Sequence, residues 1–335
     1  MSNVSLGDMA LNFLLQRQNT QIKNNLQQLS TEMTTGVTAD LGKTLSGNFS
    51  PLAGLEQSIS TLGAYSMATS QASLSAATMQ TALTQIDDQV TSLATSLVGA
   101  GNAGQAVQVN TLGSQAKAAL SSALSALNAR AGGQSVFAGA ATDKPAVASV
   151  DTIMAAVSAA IAGKTSATGI ANAITDWFNS PTGFQSVGYL GSTTPTSPVP
   201  ISNGETASLP TTAADPAIVS TLKGLAMAAV LANGALAGNA TEQVSLMNIA
   251  GQSLMNSGTD RVNLAASIGV VQAQIDTAAT KNTAESASLQ VARSGLISAD
   301  PYVTATALQA AQNQLDTLYS VTARISSLSL TNYLK

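Results

Sequence analysis

The 335-residue chain contains neither cysteine nor histidine. That excludes disulfides, thiolate nucleophiles, imidazole bases and the usual donor sets for zinc or haem. Serine and threonine are plentiful, but without histidine a conventional triad has no base. Zero cysteine is compatible with either the cytosol or the exterior. Aromatic residues make up 3% and charged residues 9% of the chain, where ordinary domains carry about 25% charged residues. Ser, Thr, Asn and Gln must therefore cover the surface, which lacks the charge repulsion that keeps proteins apart. Net charge is −4, with no basic stripe and no Arg interleaved with aromatics, which argues against nucleic-acid binding. No run approaches the roughly 18 apolar residues of a membrane span. MSNVSLGDMALNFLLQRQN, at the N-terminus, has no basic n-region and no continuous h-region. A cleaved secretory signal is not expected there, and export would use a route without one.

What is present is hydrophobic periodicity. Ile22, Leu26, Leu29 and Met33 step by four, three, four; Met79, Leu83, Ile86, Val90, Leu93 and Leu97 continue the same alternation. Leu264, Ile268, Val271, Ile275 and Ala278 repeat it, as do Leu308, Ala311, Leu315, Leu318, Thr322 and Ile325. These are seams of coiled-coil type. Apolar residues continue at Leu328, Leu330 and Leu334, so the final helix needs a cover from other helices or other copies. Breaks are expected at SGNFSP (46–51), with Ser50 and Pro51 opening a second helix, and at GAGNAG (99–104), before a third. Asp300 is the expected N-cap of the last helix, ahead of Pro301. A helix of about 40 residues spans about 60 Å, which predicts a helical rod.

The middle differs. Residues 132–204 carry glycine clusters, short Val/Phe/Tyr runs and Pro145, Pro181, Pro195, Pro198 and Pro200. Two alanine-rich helices are expected at 152–162 and 169–178, an exposed loop at 191–200, and a further helix from Asp215 with Pro216 in its first turn. The fold class is mainly α: a long coiled-coil-like rod made by the N- and C-terminal segments, with a small mixed α/β middle domain inserted. Residues 1–131 are read as the N-terminal half of the stem, 132–240 as the insert and 241–335 as the C-terminal half.

Candidate chemistry is thin. Gly42-Lys43-Thr44 and Gly163-Lys164-Thr165 invite a phosphate-loop reading, but the required earlier glycine is replaced by Val37 and Ser158. Asp87 and Asp88 point about 100° apart on a helix and read as a solvated face. Asp260 and Arg261 read as a structural ion pair or interface contact. Trp177 and Phe178 read as anchors of the insert's core, with a carbohydrate platform as the alternative. No catalytic constellation, cofactor site or metal site is expected.

Four stretches resemble the bacterial flagellin superfamily, and within it the hook-associated proteins of the hook–filament junction. They are LLQRQNTQIKNNLQQLSTEMTTG (14–36), GQSVFAGAATDKPAV (133–147), DRVNLAASIGVVQAQID (260–276) and the closing RISSLSLTNYLK. The insert departs from the family's β-rich outer domain in being more helical and alanine-rich. The resemblance implies a non-enzymatic structural subunit whose terminal helices pair and pack with other copies. Its assembly interface would comprise Leu15, Ile22, Leu26, Leu29 and Met33 with Leu308, Leu315, Leu318, Ile325, Leu328, Leu330 and Leu334. Gly133, Phe137, Gly139 and Pro145 would mark the stem–insert junction. Implied partners are the chain itself, flagellin, another hook-associated protein on the hook side and a type III export chaperone. The implied location is the extracellular flagellum. Two other readings stay open: a flagellin of the filament, and a secreted adhesin whose insert binds a ligand through Trp177 and the proline-rich loop.

Overall fold

The computed structural model describes residues 6–333, and side-chain exposure over 9–325. The chain is mainly α; among the described residues the strands form two small two-stranded sheets. It divides into two compact units, one of residues up to Leu62 together with Ala284 onward, the other Gly63–Thr283.

In the first unit, α1 (Leu6–Thr35) lies against α10 (Pro301–Tyr333). The two run antiparallel, because the end of α1 is joined to the approach to α10. Val37 bridges Ser298, Thr38 N donates to Ile297 O and Ala299 N to Gly36 O, each at 2.9 Å. Helix α1 stops at Gly36, whose φ of +68° only glycine adopts freely. Asp300 caps α10 as expected, its Oδ1 accepting from Tyr302 N at 2.8 Å and Val303 N at 3.1 Å. A four-residue helix, α2 (Leu41–Thr44), follows α1 and contains the first GKT triplet. Asp40 caps it, accepting from Lys43 N at 3.0 Å, and among the described residues no strand precedes it, so it does not have the strand-to-loop setting of a phosphate loop. Helix α3 (Ser50–Asn102) opens where Ser50-Pro51 predicts. In this unit its Leu52 and Leu62 are buried, and its Glu56 meets Arg293 at 3.4 Å.

The second unit holds the main core. The predicted seam of α3 from Met79 to Leu97 is buried throughout, each position 6% exposed or less. Helix α3 continues through Gly99 and Gly101 to Asn102, so the break expected at 99 comes later, at 103–108. The reason is packing: a Cβ on Gly101 would lie 2.9 Å from Asn248 Cβ, and the close contact with that helix keeps the glycine helical. Next come α4 (Val109–Leu127), then α5 (Val150–Ala160) and α6 (Ala167–Asn179) where the alanine-rich stretches predict them. Helix α7 (Pro216–Ala232) begins at the Asp215 cap and is apolar nearly all round, so it is enclosed by its neighbours. It packs along α4 and against α8 (Ala240–Asn256). Helix α9 (Gly258–Ile297) carries the Leu264–Ala278 seam, with Ile268, Ile275 and Ala278 buried.

The hairpin of β1 (Arg130–Ala131) and β2 (Gln134–Ser135) turns at Gly132-Gly133. Both glycines have positive φ, 57° and 82°, as a tight two-residue hairpin turn requires. A second hairpin joins β3 (Val199–Ser202) to β4 (Glu205–Ala207). The end of the expected loop 191–200 is therefore strand. Ile201 and Ala207 bury themselves with Ala72, Ile275 and Ala278 in a separate small core, and Asn282 Nδ2 donates to Ile201 O at 2.6 Å.

Candidate assembly surface

The α1–α10 pair shows where the terminal seams go. Leu15, Ile22, Leu26 and Leu29 of α1 are half-buried, as are Leu308, Leu315 and Ile325 of α10. Among the described residues of α10, Ala311 at 3% and Leu318 at 8% exposure are the deepest apolar positions. Met33 does not continue the stripe in this pair: it is 47% exposed, and Glu32 is buried in its place. The reason is local. The Glu32 carboxylate accepts from Ala39 N at 2.8 Å, satisfying an amide of the loop after α1, and this turns Glu32 inward. Leu328, Leu330 and Leu334 lie outside the residues whose side chains are described.

One chain leaves much of this surface uncovered. Met9, Leu11, Phe13 and Leu14 are 38–69% exposed. Beside the seam lies a groove of about 1010 Å³, floored by Leu15, Ile22, Leu318 and Val321 and flanked by Gln18, Gln21, Asn24, Asn25, Gln28, Asn313 and Gln314. Its lining carries no charge. The lining pairs side-chain amides with aliphatic side chains. Among the described residues no group of three or more carboxylates could hold a metal ion, and no helix is long and apolar enough to cross a membrane.

The expected stem–insert passage is built from backbone contacts. Phe137 is fully buried, Gly133 and Pro145 are exposed, and Gly139 is buried at φ +59°. A Cβ on Gly139 would meet Ser192 O and Thr194 O, so only glycine fits. Ala140 N donates to Thr194 O at 2.9 Å and Ser192 N to Ala138 O at 2.8 Å, tying this passage to the segment after α6. Asn128 acts as a clip: its Oδ1 accepts from Val147 N at 2.9 Å and its Nδ2 donates to Val147 O at 3.0 Å. The Tyr189 hydroxyl donates to Ser192 O at 2.7 Å. Burial pushes the Tyr189 phenol above its ordinary value of 10.0, partly offset by the Thr212 hydroxyl. Asn128 carries no sequence signal, because it works through backbone 19 residues away, whereas the Tyr189 bond is local, reaching three residues on.

Four other sequence readings resolve here. Arg261 pairs with Asp87, 174 positions away, at 2.7 Å, and not with its neighbour Asp260. Asp88 is exposed, so only half of the Asp87-Asp88 pair is a solvated face. Phe178 is buried and stacks on Phe184 at 5.3 Å, with Trp177 edge-on to both at 4.9 and 6.3 Å, so the cluster anchors this part of the core. The second GKT triplet sits in the turn between α5 and α6, with a helix rather than a strand immediately before it.

Residues 253–334 match the bacterial flagellin C-terminal helical region. The flagellin resemblance is thereby shown for that segment. It spans the end of α8 and all of α9 and α10, including the half of the terminal pair that carries Leu308 to Ile325. No curated protein matches the sequence. Among solved structures, a candidate flagellar hook-associated protein from Vibrio parahaemolyticus is similar over 72% of this chain and 94% of its own. Its identity is 15% and its TM-score 0.49, a likeness too distant to carry an argument.

Proposed function

We propose that this chain is a non-enzymatic structural subunit of the bacterial flagellum that joins hook to filament by self-assembly through its paired terminal helices. The observation that carries the reading is the α1–α10 pair, whose C-terminal partner falls in the flagellin-type segment while its apolar seam stays half-covered in one chain. Free apolar side chains such as Phe13 and Leu14 at 69% and 54% exposure need a cover, and copies of the same pair supply it. The interface comprises the named seam residues, including Met33 and the three leucines beyond Ile325. Residues 1–131 and 241–335 serve as the stem and 132–240 as the insert, with Gly133, Phe137, Gly139 and Pro145 at their junction. Its partners are other copies, flagellin, a hook-side hook-associated protein and an export chaperone of the type III route. The chain works outside the cell.

The junction role separates from the filament role by experiment. A junction subunit meets unlike partners at its two ends and forms a short zone, whereas a filament subunit complements itself indefinitely. Deleting the gene should leave hooks without filaments and shed flagellin into the medium. Long seeded filaments of this chain alone would instead assign it as the flagellin.

A further inference from the structure

Beneath the β3–β4 hairpin, within the second unit, lies a cavity of about 220 Å³ between the hairpin and α3. Ala72, Met79, Val136, Val199, Ala207 and Leu209 form its apolar part. Ser135, on β2, opens into it at 3% exposure, and its Oγ has no hydrogen-bond partner among the described residues. A buried hydroxyl left unpaired is disfavoured strongly enough that native proteins nearly always satisfy it. The hydroxyls of Thr142 and Ser197 also line the cavity, and those of two further residues have committed their protons. Ser75 Oγ donates to Gln71 O at 3.0 Å, and Thr196 Oγ1 to Leu209 O at 3.2 Å. What remains is a buried, unpaired Ser135 hydroxyl among oxygen lone pairs, two further hydroxyls and the amides of Gln71 and Gln134, with no ionisable group in the lining.

We infer that this cavity is a binding site for ordered water, which takes the Ser135 hydroxyl as a partner and donates to the lone pairs of Ser75 and Thr196. Water is the ligand whose valence fits: it supplies two donors and two acceptors, and the volume admits several molecules. An apolar guest would leave Ser135 unpaired, and an ion would find no counter-charge. The water then serves as mortar between β2, α3 and the segment leading into β3, three pieces from distant parts of the chain. The Gln71 side chain, from α3, lines the cavity and reaches the β1–β2 turn, where a Cβ on Gly132 would come within 3.1 Å of its Oε1.

Two measurements on the full chain test this. In the wild-type protein, water-to-amide cross-relaxation should show long-lived water at the amides of Ser135 and Val136; its absence there overturns the inference. Ser135→Ala should leave the urea unfolding constant, read by Trp177 fluorescence, unchanged or raised up to severalfold, since the water loses one partner. A fall of about fivefold or more, the release expected when an unsatisfied buried hydroxyl is deleted, would show the cavity to be dry. Xenon binding at this cavity would do the same, because xenon fills dry apolar space. If Ser135→Ala does not fold, the cross-relaxation result on the wild type still decides.

Discussion

Asp87→Ala tests the deepest ion pair of the second unit. Arg261 is 6% exposed, and its guanidinium makes three contacts: Nε to Asp87 Oδ1 at 2.7 Å, Nη1 to Leu254 O at 3.1 Å and Nη1 to Ser257 Oγ at 2.8 Å. Removing the carboxylate strands a buried cation, which costs about 3–5 kcal/mol when the pair is fully enclosed. The Asp87 side chain is 38% exposed, so water takes up part of the loss. The expected cost is about 2–3 kcal/mol, or roughly 30- to 150-fold in the unfolding constant. Arg261→Met removes the cation together with its desolvation, while Asp87 relaxes into solvent, so it should cost less than Asp87→Ala. The double variant should recover much of the loss. Urea unfolding followed by Trp177 fluorescence reads this unit alone, because the chain has a single tryptophan and it lies in Gly63–Thr283. An Asp87→Ala protein within about 0.5 kcal/mol of wild type would refute the reasoning, as would a double variant no better than the single.

Three further outcomes are expected. Gly113→Ala should destabilise the same unit by about 1–3 kcal/mol, because its Cβ would lie 2.7 Å from the backbone nitrogen of Ala232; calorimetry should show a lowered Tm. Leu318→Lys, at a position 8% exposed, should abolish assembly while leaving Trp177 fluorescence unchanged; normal assembly would refute the proposed seam. With the Tyr189 phenol raised by burial, its stabilising contribution is complete below pH 10.0. It is lost as pH climbs through the folded value, since the unfolded chain gives up that proton first. Tyr189→Phe should flatten this alkaline fall and cost about 1 kcal/mol at neutral pH through the Ser192 bond, both measurable by urea titration at stepped pH.

Local rules made much of this protein legible from its residues. Steps of three and four named the buried face of α3 and half of the α1–α10 contact, because a helix exposes its neighbours only every turn. Asp300 and Asp215 announced helix starts, since the group they satisfy lies two or three residues away. The flagellin-type character of α9 and α10 was legible too, carried by stretches such as DRVNLAASIGVVQAQID. Tertiary structure decided whatever depended on distance along the chain. Asp87 rather than Asp260 receives Arg261 because packing α3 on α9 brings together residues 174 apart, and no local pattern encodes that meeting. Glu32 displaces Met33 because a loop amide needs an acceptor, a demand that apolar spacing cannot register. Asn128 clips Val147, and β3 settles on α9 through Asn282, because buried backbone groups must find partners wherever the fold offers them. Periodicity says which face of a helix seeks cover; only the assembled chain says what covers it.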